Sequence, residues 1–194
     1  KDIFINKKNI IVGFDPKLFT KKNITTFFNS SNFKFKPIMR NLIDKIWIRK
    51  FIQNKNKFYI LPNHSIGNDY KFKVKKIVSF LKKNNADYHF ITASENNAWL
   101  LNIRGWDAKY SPIPNSYILL DKNGNINFFC DLSKVPLSLK NNYNKTKFLN
   151  IETINKTLSD ISKKKFVLDK NTCSIYFENI IIKKNKILDI EDPI

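Results

Sequence analysis

The stretch from Phe90 to Leu120, near the middle of the chain, limits the possible fold more than any other part of the sequence. The apolar run Tyr88 to Ile91 has the length of one buried strand, and Ser94 is a suitable N-cap for a short helix after it. Arg104-Gly105 predicts the end of that helix, because glycine readily adopts the left-handed conformation found there. Tyr117 to Leu120 predicts a returning strand. This order of strand, helix and returning strand indicates that the loop between the helix and the second strand is held by two rigid elements.

The rest of the chain also alternates strand-like and helix-like segments. The apolar period between Asp69 and Asn85 predicts an amphipathic helix, with Phe72 among the residues of its apolar face. Asn123-Gly124, between two apolar runs, predicts a β-hairpin, since this pair supports a tight turn with positive φ. Strands that alternate with helices predict a single α/β layered domain, with a mixed sheet and helices on both faces.

Several individual side chains are expected to lie in the core. Trp47 and Trp99 stand among apolar neighbours on short helical segments, so both are predicted to be buried. Cys130 and Cys173 lie at the ends of apolar runs, and isolated thiols in such runs are usually inert core residues. His89 is interpreted as a structural histidine inside a strand.

The net charge of +19 suggests an anionic partner, because a basic surface attracts phosphate. The 35 basic residues include only Arg40, Arg49 and Arg104 as arginine, the preferred reader of bases and phosphates. The scattered lysines therefore favour a compositional bias. A stand-alone basic module that binds nucleic acid stays open as the alternative function.

Three separate segments carry a resemblance to a known family. ITASENNAWLLNIRGWD, followed by SPIPNSYILL, is similar to the pattern ITALDEIAWLLNLRG.D and then NPVF.SY of aminopeptidase P (Xaa-Pro aminopeptidase) in its long, three-domain form. Upstream, Val12 to Pro16 and Asn41 to Trp47 resemble the VG.DP and NLVDKIW segments of that family, in the same order. Three matched segments in register are much more specific than one short motif.

The resemblance implies a definite fold and domain plan. It implies the second, non-catalytic domain, similar to the N-terminal domain of creatinase and prolidase, with a six-stranded mixed sheet related to the ribonuclease H topology. Residues 10–190 would form this domain. Residues 1–9 would be a linker from a preceding domain, and residues 191–194 would begin a linker to a catalytic domain.

The resemblance also implies an activity for the longer enzyme rather than for this segment. Such enzymes remove the N-terminal residue from peptides with proline second, by means of two divalent metal ions, with manganese expected and zinc or cobalt as alternatives. The catalytic ligand pattern of two Asp, one His and two Glu does not occur in this sequence, so no cofactor is expected here. Expected partners are the enzyme's own N-terminal and catalytic domains and a second copy in a homodimer, with the peptide bound elsewhere. A cytoplasmic location without a membrane span is expected.

The candidate contact residues lie in and beside the loop between the helix and the returning strand. Large aromatic side chains next to Arg and Asp at a loop tip are typical of contact surfaces. In related enzymes the equivalent loop helps to shape the active site. The candidates for interdomain or substrate-access contacts are Arg104, Trp106, Asp107, Tyr110, Asn115 and Tyr117. Trp106 is predicted to be at least partly exposed in this chain alone.

A different class of enzyme remains as an alternative. An acidic site of the ribonuclease H kind would need several carboxylates at one edge of the sheet. Asp121, Asp131 and Asp169 each follow a predicted strand and are the candidates for it. Turn residues commonly occupy such positions, so the pattern alone is weak.

Overall fold

The computed structural model describes residues 10–28, 33–47 and 54–194. The chain divides into two compact units. Unit 1 consists of Lys1–Ile52 with Lys170–Glu178, and unit 2 of Gln53–Asp169 with Asn179–Ile194. The predicted linker at residues 1–9 lies outside the described residues. The predicted domain boundaries therefore stay predictions.

Unit 1 contains a small parallel sheet. Strand β1 (Ile11–Phe14) pairs with β2 (Lys34–Pro37), and helix α1 (Lys21–Phe28) lies between them in the sequence. Thr20 begins this helix, because its hydroxyl accepts a hydrogen bond from the Asn23 amide at 3.1 Å while the Asn23 side chain accepts one from the Thr20 amide.

The expectation that Trp47 is a core residue was wrong. It follows α2 (Ile43–Ile46) and is 60% exposed. Leu42, Ile43 and Ile46 are exposed as well. A helix of a single turn presents too little surface to bury four large apolar side chains.

Unit 2 is built on a six-stranded mixed sheet. Its strands are β4 (Tyr88–Ile91), β6 (Tyr117–Asp121), β7 (Ile126–Cys130), β8 (Thr146–Asn150), β9 (Lys165–Leu168) and β10 (Lys186–Ile187). Their spatial order is β10-β9-β4-β6-β7-β8. Strand β6 is antiparallel to both neighbours, and the other pairs are parallel. The predicted α/β class with a six-stranded mixed sheet is confirmed.

The predicted hairpin joins β6 to β7. Gly124 has a φ of 86°, which is favourable for glycine and strained for other residues. The Asp121 carboxylate accepts hydrogen bonds from the backbone amides of Asn123 and Asn125 at 2.8 and 2.9 Å. These bonds hold the tight turn and fix the register of the two strands.

Five helices accompany the sheet strands in sequence. They are α3 (Tyr70–Lys83), α4 (Ser94–Leu101), α5 (Leu137–Asn142), α6 (Ile154–Asp160) and α7 (Ile175–Ile182), and the division between the units falls within α7. A short antiparallel pair, β3 (Tyr59–Ile60) with β5 (Ile103–Arg104), lies outside the six-stranded sheet. No helix in the described part of the chain combines the length and apolar character that a membrane crossing requires.

The expectation that Trp99 is a core residue was also wrong. Helix α4 buries Asn97, Ala98, Leu100 and Leu101, while Trp99 is 46% exposed. Successive residues are rotated by about 100° around a helix, so Trp99 lies about 180° from the middle of the buried face. Asn97 can take an inward position because its side-chain amide donates to the Ser116 carbonyl at 2.8 Å.

The ends of α4 differ from the prediction by a few residues. Ala93 rather than Ser94 occupies the N-cap position, and no side chain caps it. The helix ends at Asn102, which has a left-handed φ of 56°, and not at Arg104-Gly105. Asparagine is one of the few residues other than glycine that adopt this conformation readily.

The predicted thiol environment is confirmed. Cys130 and Cys173 are both free and buried. Burial raises the pKa of the Cys130 thiol to about 12, which keeps the thiol protonated near neutral pH. Cys130 is therefore an inert packing residue.

Candidate functional site

The loop between β5 and β6 folds back on itself as a compact unit. The Gly105 amide donates to the Pro112 carbonyl and the Asp107 amide donates to the Ile113 carbonyl, both at 3.3 Å. Ala108 and Ser111 form a bridge at its tip. We call residues 104–115 the contact loop. These backbone bonds hold its two arms together.

Asp107 anchors the contact loop from inside. One carboxylate oxygen forms an ion pair with the buried Lys134 ammonium, and the other accepts a hydrogen bond from the Asn115 amide at 2.8 Å. The Lys134 carbonyl in turn accepts from the Phe58 amide at 2.8 Å. The carboxylate is thus engaged in holding the loop, which is a structural role.

Gly105 allows the close approach at the base of the loop. A Cβ atom at this position would lie 2.9 Å from the Pro114 Cα and 3.0 Å from two ring carbons of Phe58. Phe58 is only 2% exposed and packs edge-on against Phe128. Residue 105 is therefore a glycine for reasons of space.

Arg104 is directed towards the end of α4. Its guanidinium donates to the Ala98 carbonyl at 2.7 Å and to the Ile103 carbonyl at 3.2 Å. The last carbonyls of a helix lack partners within the helix, and a cation there is favourable. The side chain therefore caps α4.

A buried lysine shares this capping role. The Lys73 ammonium donates to the Trp99 carbonyl and to the Asn102 side chain, each at 2.5 Å, and lies 4.6 Å from the centre of the Trp99 ring. Burial lowers the pKa of Lys73, and the positive charge of Arg104 lowers it further. The sequence analysis missed this residue, since the apolar period of α3 predicts Phe72 on the inner face. Phe72 is 47% exposed instead.

The two aromatic residues of the loop lie at the surface. Trp106 is 51% exposed, which confirms the prediction for this residue, and Tyr110 is 87% exposed. The Trp106 ring stacks on Tyr59 with 5.8 Å between centroids. The backbone carbonyl of Trp106 accepts a hydrogen bond from the Asn54 side chain. The supporting residues Tyr59 and Asn54 lie far upstream, so the sequence offered no signal that links them to the loop.

The remaining two candidates frame the end of the loop. Asn115 is exposed, and its backbone amide bonds to Asp107. Tyr117 is half-buried at the start of β6 and stacks on Phe90 at 6.3 Å. The structure therefore separates the six candidates into a supporting set and an exposed set. Arg104, Asp107 and Tyr117 hold the fold, whereas Trp106, Tyr110 and Asn115 face solvent.

The three aspartates considered for an acidic site do not lie at one edge of the sheet. Asp121 ends β6, which runs opposite to its neighbours, whereas Asp131 and Asp169 follow β7 and β9 at the other edge. The described residues also contain no group of three or more His, Cys, Asp or Glu side chains that could hold a metal ion. The three aspartates and the other potential metal ligands among the described residues therefore do not fit a dinuclear metal centre.

The family of the chain follows from its sequence. Residues 50–194 match the family model of the creatinase/prolidase N-terminal domain. The chain belongs to this family. The resemblance found in the sequence motifs is thereby confirmed at the level of the domain.

The curated proteins similar to this chain are several times longer than it, and the similarity covers only part of their length. Xaa-Pro aminopeptidase ApepP of Drosophila melanogaster is 33% identical over 133 residues, which are 66% of this chain and 22% of that protein. Probable Xaa-Pro aminopeptidase P of Colletotrichum graminicola is 30% identical over 130 residues, 64% of this chain and 21% of that protein. The chain therefore spans about a fifth of the length of the curated relatives that it matches.

A solved structure has the same fold. The X-prolyl aminopeptidase of Caenorhabditis elegans, described as a cytosolic enzyme with a di-nuclear active site, superposes with a TM-score of 0.81 and 21% identity. The match covers 95% of this chain and 32% of that enzyme. At 21% identity this likeness concerns the fold alone.

Proposed function

We propose that this chain is a non-catalytic domain of a longer, metal-dependent Xaa-Pro aminopeptidase. The longer enzyme would remove the N-terminal residue from peptides with proline second. Support comes from the family match together with relatives that are named Xaa-Pro aminopeptidases and are several times longer. The solved relative described as a cytosolic enzyme supports a cytoplasmic location.

The catalytic metal ions of that enzyme would bind outside this chain. The described residues lack a suitable ligand set, as noted above, so we assign them no part in metal chemistry. We expect the chain alone neither to bind manganese tightly nor to cleave an Arg-Pro peptide bond. Turnover that added manganese stimulates, in material free of host peptidases, would contradict this assignment.

Within the longer enzyme, the contact loop would pack against another domain or subunit and help to shape access to the active site. The observation that carries this proposal is an exposed aromatic pair on a rigid frame. Trp106 and Tyr110 are open to solvent, while Asp107, Gly105 and the backbone bonds fix the loop beneath them. Trp and Tyr are enriched among the residues that contribute most of the binding energy at the centre of interfaces.

Trp106→Ala tests this role in two contexts. In the isolated chain it should change the free energy of unfolding by less than about 1 kcal/mol, as exposed substitutions usually do. In the longer enzyme it should lower Arg-Pro hydrolysis and weaken domain or dimer assembly while the metal content stays unchanged. Phe72→Ala is the matched control, because Phe72 is a similarly exposed aromatic residue on α3.

The results separate the two parts of the proposal. If the Trp106 and Phe72 variants have equal activity and equal sedimentation, the proposed contact role of the loop is wrong. The proposed activity of the longer enzyme is not affected by that result. If the longer protein hydrolyses no Xaa-Pro peptide with manganese, zinc or cobalt, the proposed aminopeptidase activity is wrong.

The basic charge supports a second candidate function, a module that binds nucleic acid. The supporting observation is the net charge of +19. Binding of a labelled oligonucleotide that persists at physiological salt would favour this function. Binding that disappears between low and physiological salt would be the nonspecific attraction expected of any strongly basic surface.

A further inference from the structure

A cavity in unit 2 lies away from the contact loop. It has a volume of about 450 Å³ and opens between α3, the β6–β7 turn and the segment that joins α5 to β8. Cavities of roughly 300–1,000 Å³ are the usual size of small-molecule sites. No role for it follows from the family or from the proposed function.

One side of the cavity is apolar and rigidly held. Val74, Val78 and Ile126 line it, together with the ring of Tyr70. Val74 and Ile126 are buried, and the Tyr70 ring packs at a tilt of 38° against Tyr143 with 4.4 Å between ring centroids. The Tyr70 hydroxyl donates to the Asn142 carbonyl at 3.2 Å. This wall is suited to bury the apolar part of a ligand.

The rim of the cavity is positively charged. Lys71, Lys75 and Lys145 line it, and no Asp or Glu is among the lining residues. Lys71 and Lys75 are one helical turn apart and so share a face of α3. Within the described part of the chain, none of the three lysines has an ion-pair partner.

The two carboxylates next to the cavity in sequence are already engaged. Asp69 caps α3 and accepts a hydrogen bond from the Lys71 amide at 2.7 Å. Asp121 accepts the bonds of the β6–β7 turn. Neither forms an ion pair with a rim lysine among the described residues. The lining therefore carries three positive side chains and no negative one above an apolar wall.

We propose that this cavity binds a small amphipathic organic anion. The aliphatic or aromatic body of the ligand lies against Val74, Val78 and Ile126. Its carboxylate or similar anionic head lies at the rim between Lys75 and Lys145. Charge complementarity selects the anion, and the apolar wall selects a ligand with a hydrophobic body over an inorganic ion.

Octanoate is the probe for this site, and octan-1-ol and octylammonium are its neutral and cationic counterparts. Titration of the isotopically labelled 194-residue chain, at one fixed ionic strength, should give saturable amide shifts confined to the cavity lining. Octanoate should bind several-fold more tightly than either counterpart, since an ionic interaction with an exposed lysine is modest and two lysines face the head group. The double change Lys75→Gln with Lys145→Gln should weaken octanoate binding by a similar factor.

Lys82→Gln with Lys83→Gln is the matched control. It removes the same net charge from the last turn of the same helix, where the side chains do not line the cavity. Four outcomes would overturn the proposal. They are equal binding of octanoate and octan-1-ol, equal weakening by the control pair, shifts centred elsewhere, and no saturable binding. Because the assay involves no peptide hydrolysis, its outcome is independent of the proposed peptidase.

Discussion

Replacing Gly105 with alanine is the sharpest test of how the contact loop is held. The new Cβ would lie 2.9 Å from the Pro114 Cα and 3.0 Å from two ring carbons of Phe58. Neither neighbour can move easily, because Pro114 is buried backbone and the Phe58 ring is enclosed by the core. The added methyl group must therefore displace the loop or the ring.

The expected loss in the free energy of unfolding is about 1–2 kcal/mol. Overpacking a well-filled site destabilises a protein by about 1–3 kcal/mol. The reduced freedom of the unfolded chain offsets about 0.4–1 kcal/mol of this when alanine replaces glycine. In a chain of 194 residues each kcal/mol corresponds to about 2–4 °C in Tm, so a decrease of about 2–8 °C is expected.

Gly67→Ala provides the control within the same unit. A Cβ at Gly67 would have no atom within 4 Å, and its φ is not left-handed. This variant should be as stable as the wild type or slightly more stable, through the unfolded-state effect alone. Urea denaturation followed by tryptophan fluorescence measures both variants. Equal midpoints for Gly105→Ala and Gly67→Ala would refute the argument that space at the base of the loop requires glycine.

Three further substitutions test other parts of unit 2. Trp99→Ala should lower the free energy of unfolding by about 1–2 kcal/mol, less than the 3–5 kcal/mol of a core tryptophan, because half of the ring is exposed; a loss above 3 kcal/mol in urea denaturation would contradict this. Asp192→Ala removes the 2.9 Å partner of the fully buried His89 and should lower the same quantity by about 1–3 kcal/mol, whereas the exposed neighbour Glu191→Ala should have little effect. Burial acts to raise the pKa of Asp87, but hydrogen bonds from a lysine ammonium and a backbone amide lower it overall. Its stabilising contribution should therefore be complete above the unfolded pKa of about 3.9 and be lost as pH falls through the lower folded value, and thermal melts of Asp87→Asn should lack this part of the acid dependence.

The sequence predicted the sheet well because its strands are short and distinct. The run at Tyr88 to Ile91 is a strand within those limits, and the Asn123-Gly124 hairpin forms as expected. The apolar run Ser174 to Ile182 could be a strand or a helix by its pattern, and it is largely the helix α7. Short apolar runs do not distinguish a strand from a buried helix by periodicity alone.

The inner faces of the helices were harder to predict. In α4 the consecutive apolar residues Ala98 to Leu101 surround the helix, so no period identifies Trp99 as the outward residue. In α3 the charged Lys73 lies inside because its ammonium donates hydrogen bonds to the Trp99 carbonyl and to the side-chain oxygen of Asn102. Both outcomes depend on hydrogen bonds between distant segments, which a linear pattern does not contain.

The contact loop shows the same limit. Its exposed Trp106 was predictable, because no apolar period includes it and it lies between a glycine and a proline. The ion pair of Asp107 with Lys134 and the stacking of Tyr59 on Trp106 were not predictable. These partners are brought together by the fold, and neither carries a distinguishing motif of its own.

The position of β4 in the sheet has a consequence for synthesis of the chain. This strand lies between β6 and β9, and the residues that join it to β9, such as Asp87 and Lys165, are 78 positions apart in sequence. A ribosome must therefore release more than seventy further residues before the second edge of β4 can pair. During that interval an apolar strand edge is open to other nascent chains. Products truncated before residue 165 should accordingly aggregate, whereas chains that extend past β9 should remain dispersed.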